Sequence, residues 1–267
     1  MSNLMTLVVS NYNEVIKTSK DPLVDTWPLM GSPAPILIIL AIYLVFVLKI
    51  GPSMMAKRSA FVLNKTLIWY NAIQVVLSIA LSVMGLKTGF YKFIFMGTCS
   101  SQEAVHQDRG LQSKLLNAAW WYFFSKIIEL LDTVFFVLRK KQNQVSFLHV
   151  YHHTITALFS WCYLKLLPGE QGLVLGFLNS SVHVVMYTYY MIAAMGPQYK
   201  KYLWWKKYVT TIQLVQFGLM FSYLMLVLAI DCTMSKALTY FFLTNVVIFI
   251  YLFSDFYRKA YNKRNQA

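Results

Sequence analysis

The sequence predicts an all-α integral membrane protein with seven transmembrane helices. Of its 267 residues, 58% are hydrophobic and only 13% charged, and the mean hydropathy is +0.51, whereas a soluble domain carries about 25% charged residues. Apolar stretches close to the ~20 residues that cross bilayer hydrocarbon recur along the chain with short polar connections. That spacing leaves no room for a separate soluble domain, so residues 1–267 read as a single polytopic membrane domain.

The spans fall at about 35–49, 67–86, 115–138, 145–167, 172–194, 208–230 and 237–257. The first is the shortest, and residues 1–34 hold no apolar run of signal-peptide length, so it is expected to act as an uncleaved anchor. The seven prolines, Pro22, Pro28, Pro33, Pro35, Pro52, Pro168 and Pro197, lie outside the apolar cores, which predicts unbroken helices. Transporters often interrupt helices at the binding site; no such interruption is expected here.

Charge sets the orientation. Lys49, Lys57, Arg58 and Lys65, then Arg139, Lys140 and Lys141, then Lys200, Lys201, Lys206 and Lys207, then Arg258, Lys259, Lys263 and Arg264 all fall on one side, which the positive-inside rule makes cytosolic. The N-terminus and the alternate loops, with Glu14, Asp21, Asp25, Glu103, Asp108, Glu170 and Asp231, then face the lumen, and residues 258–267 form a basic cytosolic tail. The rule alone accounts for this pattern. A second reading adds a polyphosphate ligand, held by basic residues around a cytosolic cavity mouth. Cys99 and Cys232 fall in lumenal loops, an oxidising compartment, and are expected to form a bridge; Cys162 lies within a span. Neither the sequon at Asn64, on the cytosolic side, nor that at Asn179, inside a span, should be glycosylated.

Ionisable residues inside apolar helices cost ~2.5–3.5 kcal/mol each at a helix centre, so they need a reason. The third span carries Lys126, Glu129, Asp132 and Thr133 along one side of the helix. A self-neutralising Lys126/Glu129 pair that only holds helices together is the plain alternative. The fourth span carries His149, His152 and His153, whose i, i+3, i+4 spacing predicts three imidazoles on one face. The fifth carries Asn179, His183, Met186, Tyr187 and Tyr190, and the sixth Thr210, Gln213 and Gln216, which alone would read as interhelical hydrogen bonding. At ~1.5 Å per residue, all four sets fall in one layer between the cytosolic face and the bilayer centre. A shared cavity follows.

Two chemistries suit a histidine cluster in a membrane. HxxHH also occurs in membrane di-iron enzymes, but those use more histidines than the five here, and His106 lies in a lumenal loop; a single zinc on four histidines stays open, with Glu129 and Asp132 nearby. The other chemistry is nucleophilic, since neutral imidazole accepts acyl groups near pH 7. Cys162 is set about 13 Å along the helix from His153 and on the opposite side, a poor position for a nucleophile. A seven-helix receptor matches the helix count but gives no reason for the histidines.

At these residues the chain resembles the elongation-of-very-long-chain-fatty-acids family, the 3-oxoacyl-CoA synthases. Its KxxExxDT stands here as Lys126, Glu129, Asp132 and Thr133, its HxxHH as His149, His152 and His153, its HxxMYxYY as His183, Met186, Tyr187, Tyr189 and Tyr190, and its TxxQxxQ as Thr210, Gln213 and Gln216. The family's dilysine-type retrieval signal is shifted here to Lys263-Arg264. The resemblance implies a multi-pass endoplasmic reticulum protein, with six of seven helices forming a barrel around an acyl tunnel. It implies condensation of acyl-CoA with malonyl-CoA to 3-oxoacyl-CoA, CO2 and CoA, with no further cofactor, no metal and no nucleic-acid partner. The reductases and dehydratase of the elongation cycle are the expected partners. A ping-pong course is expected, with His152 the first candidate for acyl acceptor as the middle of the triplet. His149, His153 and His183 would move protons or stabilise the enolate, Asn179 and Gln213 donate amide hydrogens, Glu129 and Asp132 fix imidazole tautomers, and Lys126 balances the carboxylates. Tyr187, Tyr190, Met186, Thr210, Gln213 and Gln216 are expected at the substrate, and Arg139, Lys140, Lys141, Lys206 and Lys207 at the CoA phosphates.

Overall fold

The computed structural model describes residues 22–89, 108–166, 170–230 and 236–262, and every regular element among them is helical. Cys99, Cys232, His106, Lys263 and Arg264 lie outside these residues, as does the expected bridge. Seven long helical segments are described: α1 (Ala34–Ala56), α2 (Asn64–Lys87), α3 (Arg109–Leu138), α4 (Phe147–Leu166), α5 (Glu170–Ala194), α6 (Lys206–Ala229) and α7 (Lys236–Tyr257).

Four of them, α1, α2, α6 and a stretch of α7 with its extension (Thr239–Tyr261), are long and apolar enough to cross a membrane. The remaining three are those that carry the ionisable motifs. Lys126, Glu129 and Asp132 dilute the apolar character of α3, and the histidines and amides do the same for α4 and α5. The chain is therefore a multi-pass membrane protein whose less apolar helices are the ones that bear its buried ionisable residues.

α1 departs from the sequence expectation. Instead of ending before Pro52, it continues to Ala56, changing at Phe46–Ile50 to a wider π turn and resuming α geometry at Gly51. A proline inside a helix lacks an N–H and its ring strikes the carbonyl four residues back; a π turn directly before Pro52 relieves that clash without ending the helix. Gly51 is required by packing. A Cβ there would lie 2.7 Å from Val137 Cγ1 on α3 and 2.8 Å from the Phe46 carbonyl oxygen, so only glycine allows α1 and α3 to approach this closely.

α1 packs on α3 and α4. α4 lies against α3 and α7, α3 against α2, α2 along α5, α5 against α6, and α6 against α7. One apolar cluster joins α1, α3 and α4 through residues such as Ile36, Phe123, Val137 and Leu164. A second joins α5, α6 and α7 through Val174, Phe217, Leu224 and Phe249. The segment before α1 is clasped to the ends of α3 and α4: Trp120 Nε1 donates to the Pro28 carbonyl at 3.2 Å, Trp161 Nε1 to that of Leu29 at 2.8 Å, and Lys165 Nζ to that of Met30 at 2.7 Å. Lys165 also pairs with Asp25. The two indoles and the ammonium together satisfy a tight turn in which Leu29 adopts a left-handed φ of 67°. α3 begins at Asp108, whose side chain accepts from the Gly110 and Leu111 amides at 2.9 and 3.1 Å, an N-cap.

Candidate active site

A buried polar network links α3 to α5. Lys126, 2% exposed, donates to both oxygens of Glu129 at 2.8 and 3.1 Å and to Asn179 Oδ1 at 2.6 Å. His183 Nδ1 lies 3.2 Å from Glu129 Oε1, and His183 Nε2 lies 3.2 Å from Asn179 Nδ2. Because Asn179 Oδ1 already accepts from Lys126, its Nδ2 must donate to His183 Nε2, which leaves the proton on Nδ1 facing Glu129. The geometry thus selects one neutral tautomer. Lys126 and Glu129 are three residues apart on α3, so backbone spacing alone brings them together; α5 supplies the two groups that complete the loop. Burying these charges is tolerable because each is paired and further hydrogen-bonded.

Tyr122 also belongs to this network, its hydroxyl donating to Asn179 Oδ1 at 3.1 Å. The sequence reading missed it. It stands one turn before Lys126 on the same side of α3, and that i, i+4 relation was the available signal.

The carboxylates separate in role. Glu129 meets His183, but among the described residues Asp132 meets no histidine: it accepts from the Tyr187 hydroxyl at 2.8 Å. Tyr187 is fully buried and stacks edge-on against Tyr70 and His183. Thr133 turns the other way, to the Tyr43 hydroxyl of α1 at 2.7 Å. Asn179 directs one of its two amide hydrogens to His183, while Gln213 Nε2 lies 3.4 Å from Met186 Sδ. Thr210 is buried, and Tyr190 is 42% exposed beside Tyr189.

The three histidine rings of α4 form one row of contacts, His149 to His153 to His152, the last pair at 5.6 Å, while opening onto different helices. His149 and His153 stack at 4.3 Å between ring centroids, with Phe136 of α3 5.1 Å from His149. His152 turns away toward Phe249 of α7 at 4.9 Å. Consecutive residues on a helix diverge by ~100°, so His152 and His153 are forced onto different neighbours. Among the described residues, no three His, Cys, Asp or Glu side chains come together as a metal-binding group. His149 Nε2, His152 Nδ1 and His153 Nδ1 are buried without a hydrogen-bond partner among the described residues.

Beside this layer lies a cavity of about 150 Å³. All of α2 to α7 contribute to its wall, and α1 contributes none. His152 is the one histidine on that wall, where it joins Asn179, Tyr122 and Gln216. Beyond them the wall is mostly apolar: Thr156, Phe159, Ser160 and Tyr163 continue the His152 stripe along α4, and Ala118, Gly176 and Phe242 face it. Cys162 packs into the α1/α3/α4 cluster instead. Of the basic residues, Arg139, Lys140 and Lys141 follow the end of α3, and Lys206 and Lys207 open α6. Lys140 is partly engaged, its Nζ 3.4 Å from the Ala56 carbonyl oxygen, and Lys207 lies over the Tyr208 ring.

Comparison with known proteins gives the family. The chain is 43% identical over 253 residues to a very long chain fatty acid elongase of Aedes aegypti, covering 92% of this chain and 69% of that protein. It is 41% identical over 267 residues to very long chain fatty acid elongase 7 of Rattus norvegicus, covering 98% and 92%, and 42% identical over 246 residues to very long chain fatty acid elongase 4 of Homo sapiens, covering 91% and 76%. The model of the ELO family, described as the GNS1/SUR4 family, matches residues 28–267. The buried ionic network, the histidines of α4 and the apolar cavity therefore belong to a membrane enzyme of fatty acid elongation, and the chain is a member of the ELO (GNS1/SUR4) family.

Proposed function

We propose that the chain is the condensing enzyme of elongation, joining acyl-CoA to malonyl-CoA through an acyl group carried on His152. The observation that carries this is position: of four histidines in the layer, His152 alone lines the cavity. In the first half, a nitrogen of neutral His152 attacks the thioester carbonyl carbon. The C–S bond breaks, the proton passes to the departing thiolate, and acyl-imidazole and CoA result. In the second, malonyl-CoA loses CO2, and the carbanion attacks the acyl carbon. The C–N bond breaks, a proton returns to imidazole, and 3-oxoacyl-CoA leaves.

The surrounding groups suit both halves. His149 and His153, with unpaired nitrogens in the same layer, can relay the proton. The loop of Lys126, Glu129, His183 and Asn179 holds a fixed field where negative charge develops on the enolate and the acyl oxygen. Gln216 supplies an amide at the cavity wall, and Arg139, Lys140, Lys141, Lys206 and Lys207 offer point charges for CoA phosphates. Tyr187, Tyr190, Met186, Thr210 and Gln213 lie on the α5/α6 side of the same layer.

Followed from neighbour to neighbour, the contacts of α2 through α7 return to their starting point, and α1 packs beside that ring on α3 and α4. Together with a cavity walled by those six helices, this supports a six-helix barrel within seven spans; the distribution of basic residues supports a lumenal N-terminus and a cytosolic 258–267, and the family resemblance the endoplasmic reticulum membrane.

The test is acyl-CoA alone. Purified protein should release CoA in a burst no larger than the enzyme concentration, should place acyl label on a peptide containing residues 149–153, and should do both in the presence of chelator. His152→Ala should abolish all of it while the protein stays folded. CoA release that strictly requires malonyl-CoA, with no trappable acyl-protein, overturns the covalent scheme.

A further inference from the structure

We infer that Tyr122 is a positioning residue for condensation: its hydroxyl fills the second acceptor site of Asn179 Oδ1 and so fixes the Asn179 amide with a hydrogen presented to the acyl oxygen. This rests on the reading that the acyl group reacts in the cavity beside His152.

The amide would not hold itself in place. The terminal torsion of an asparagine side chain is broad and nearly two-fold, so a single hydrogen bond leaves its plane free to swing. Here Asn179 Oδ1 accepts from two donors of α3, Lys126 Nζ at 2.6 Å and the Tyr122 hydroxyl at 3.1 Å, and a carbonyl oxygen has two lone pairs to share. Tyr122 and Lys126 stand one turn apart on α3, as Asn179 and His183 do on α5, so each helix brings its own pair together by its period. On the nitrogen side, one amide hydrogen goes to His183 Nε2 at 3.2 Å. Three partners in three directions fix the plane.

One hydrogen is left over. The second on Nδ2 has no acceptor among the described residues, and Asn179 lies on the cavity wall with His152 and Tyr122. With both lone pairs of its oxygen occupied, the amide offers the cavity a donor and no acceptor, which suits an acyl oxygen on which negative charge develops. Two donors on Oδ1, one of them charged, also polarise the amide and strengthen its remaining N–H. The ring of Tyr122 has contacts of its own. Lys126 Nζ lies over it at 4.7 Å from the centroid, and a Cβ added at Gly176 of α5 would come within 3.6 Å of it. The ring therefore keeps its seat without the hydroxyl.

Tyr122→Phe is accordingly the clean variant. In steady-state condensation its kcat should fall about fivefold, the worth of one hydrogen bond, with KM for acyl-CoA and malonyl-CoA within twofold of wild type, because the loss is felt where charge develops and not in the ground state. A merely structural role would add to any other change, so the second measurement is a cycle with Asn179. Asn179→Ala should cost more than Tyr122→Phe, and adding Tyr122→Phe to it should change kcat by less than twofold; Asn179→Leu serves if the alanine variant does not fold. An unchanged kcat in Tyr122→Phe, a loss confined to KM, or a full fivefold loss in the Asn179 background overturns the proposal. Failure of the function proposed above looks different. Condensation that survives His152→Ala would show that the acyl group reacts elsewhere, whereas condensation lost with His152→Ala and untouched by Tyr122→Phe counts against Tyr122 alone.

Discussion

Lys126 and Glu129 hold each other's charge in the membrane interior, and the cost of separating them can be measured. Lys126→Met leaves a buried carboxylate with only a neutral imidazole beside it, which should lower stability by ~3–5 kcal/mol. Lys126→Met combined with Glu129→Gln removes both charges and should recover much of that loss. Thermal unfolding of detergent-purified protein checks it; a double variant as unstable as the sum of the singles would mean that the pair is not coupled. This pair was legible in the sequence, because charges three apart in an apolar helix have few other partners within reach. The rest of the loop was not. Helical period places Asn179 and His183 on one side of α5 but says nothing of which helix they face, so the hydrogen bonds of Asn179 to Lys126, Tyr122 and His183 were not foreseen. Asp132 read as a partner of histidine for the same reason, and it belongs to Tyr187.

Among the elements, α1 shows how far hydropathy reaches. Its apolar core was visible, but the continuation through Pro52 was not, because proline rules describe ideal α geometry and the π turn at Phe46–Ile50 escapes them. The contact that α1 makes there is testable. Gly51→Leu would drive a side chain into Val137 and the Phe46 carbonyl, and should destabilise the protein by ~1–3 kcal/mol. The matched change Gly218→Leu on α6, where nothing lies within 4 Å of the added Cβ, should cost less. Equal melting temperatures for the two would show that α1 does not need this close approach. α4 carried the opposite lesson. The i, i+3, i+4 histidines suggested one shared face, and their rings do touch in the order His149, His153, His152; the ~100° between i+3 and i+4 nevertheless puts His152 alone of the three on the cavity wall.

For the whole molecule, the positive-inside rule gives the orientation that the basic residues are expected to impose. A glycosylation acceptor introduced between residues 100 and 110 should gain a sugar, and native Asn64 should gain none, as read by a glycosidase-sensitive shift on a gel. Sugar on Asn64 would invert the topology and move the basic residues away from cytosolic CoA. The contacts of α1 bear on how the molecule is made. Its partners are α3 and α4, and the last of these ends at Leu166, 110 residues after Ala56. At synthesis rates of ~5–20 residues per second, α1 waits roughly 6–22 s before its partners have emerged. Gly51, which must remain bare for α3, waits with it. Until Leu138 ends α3, 82 residues after Ala56, the helix lies in the bilayer with neither partner, which leaves it available to insertion factors and to quality control of the unfinished chain.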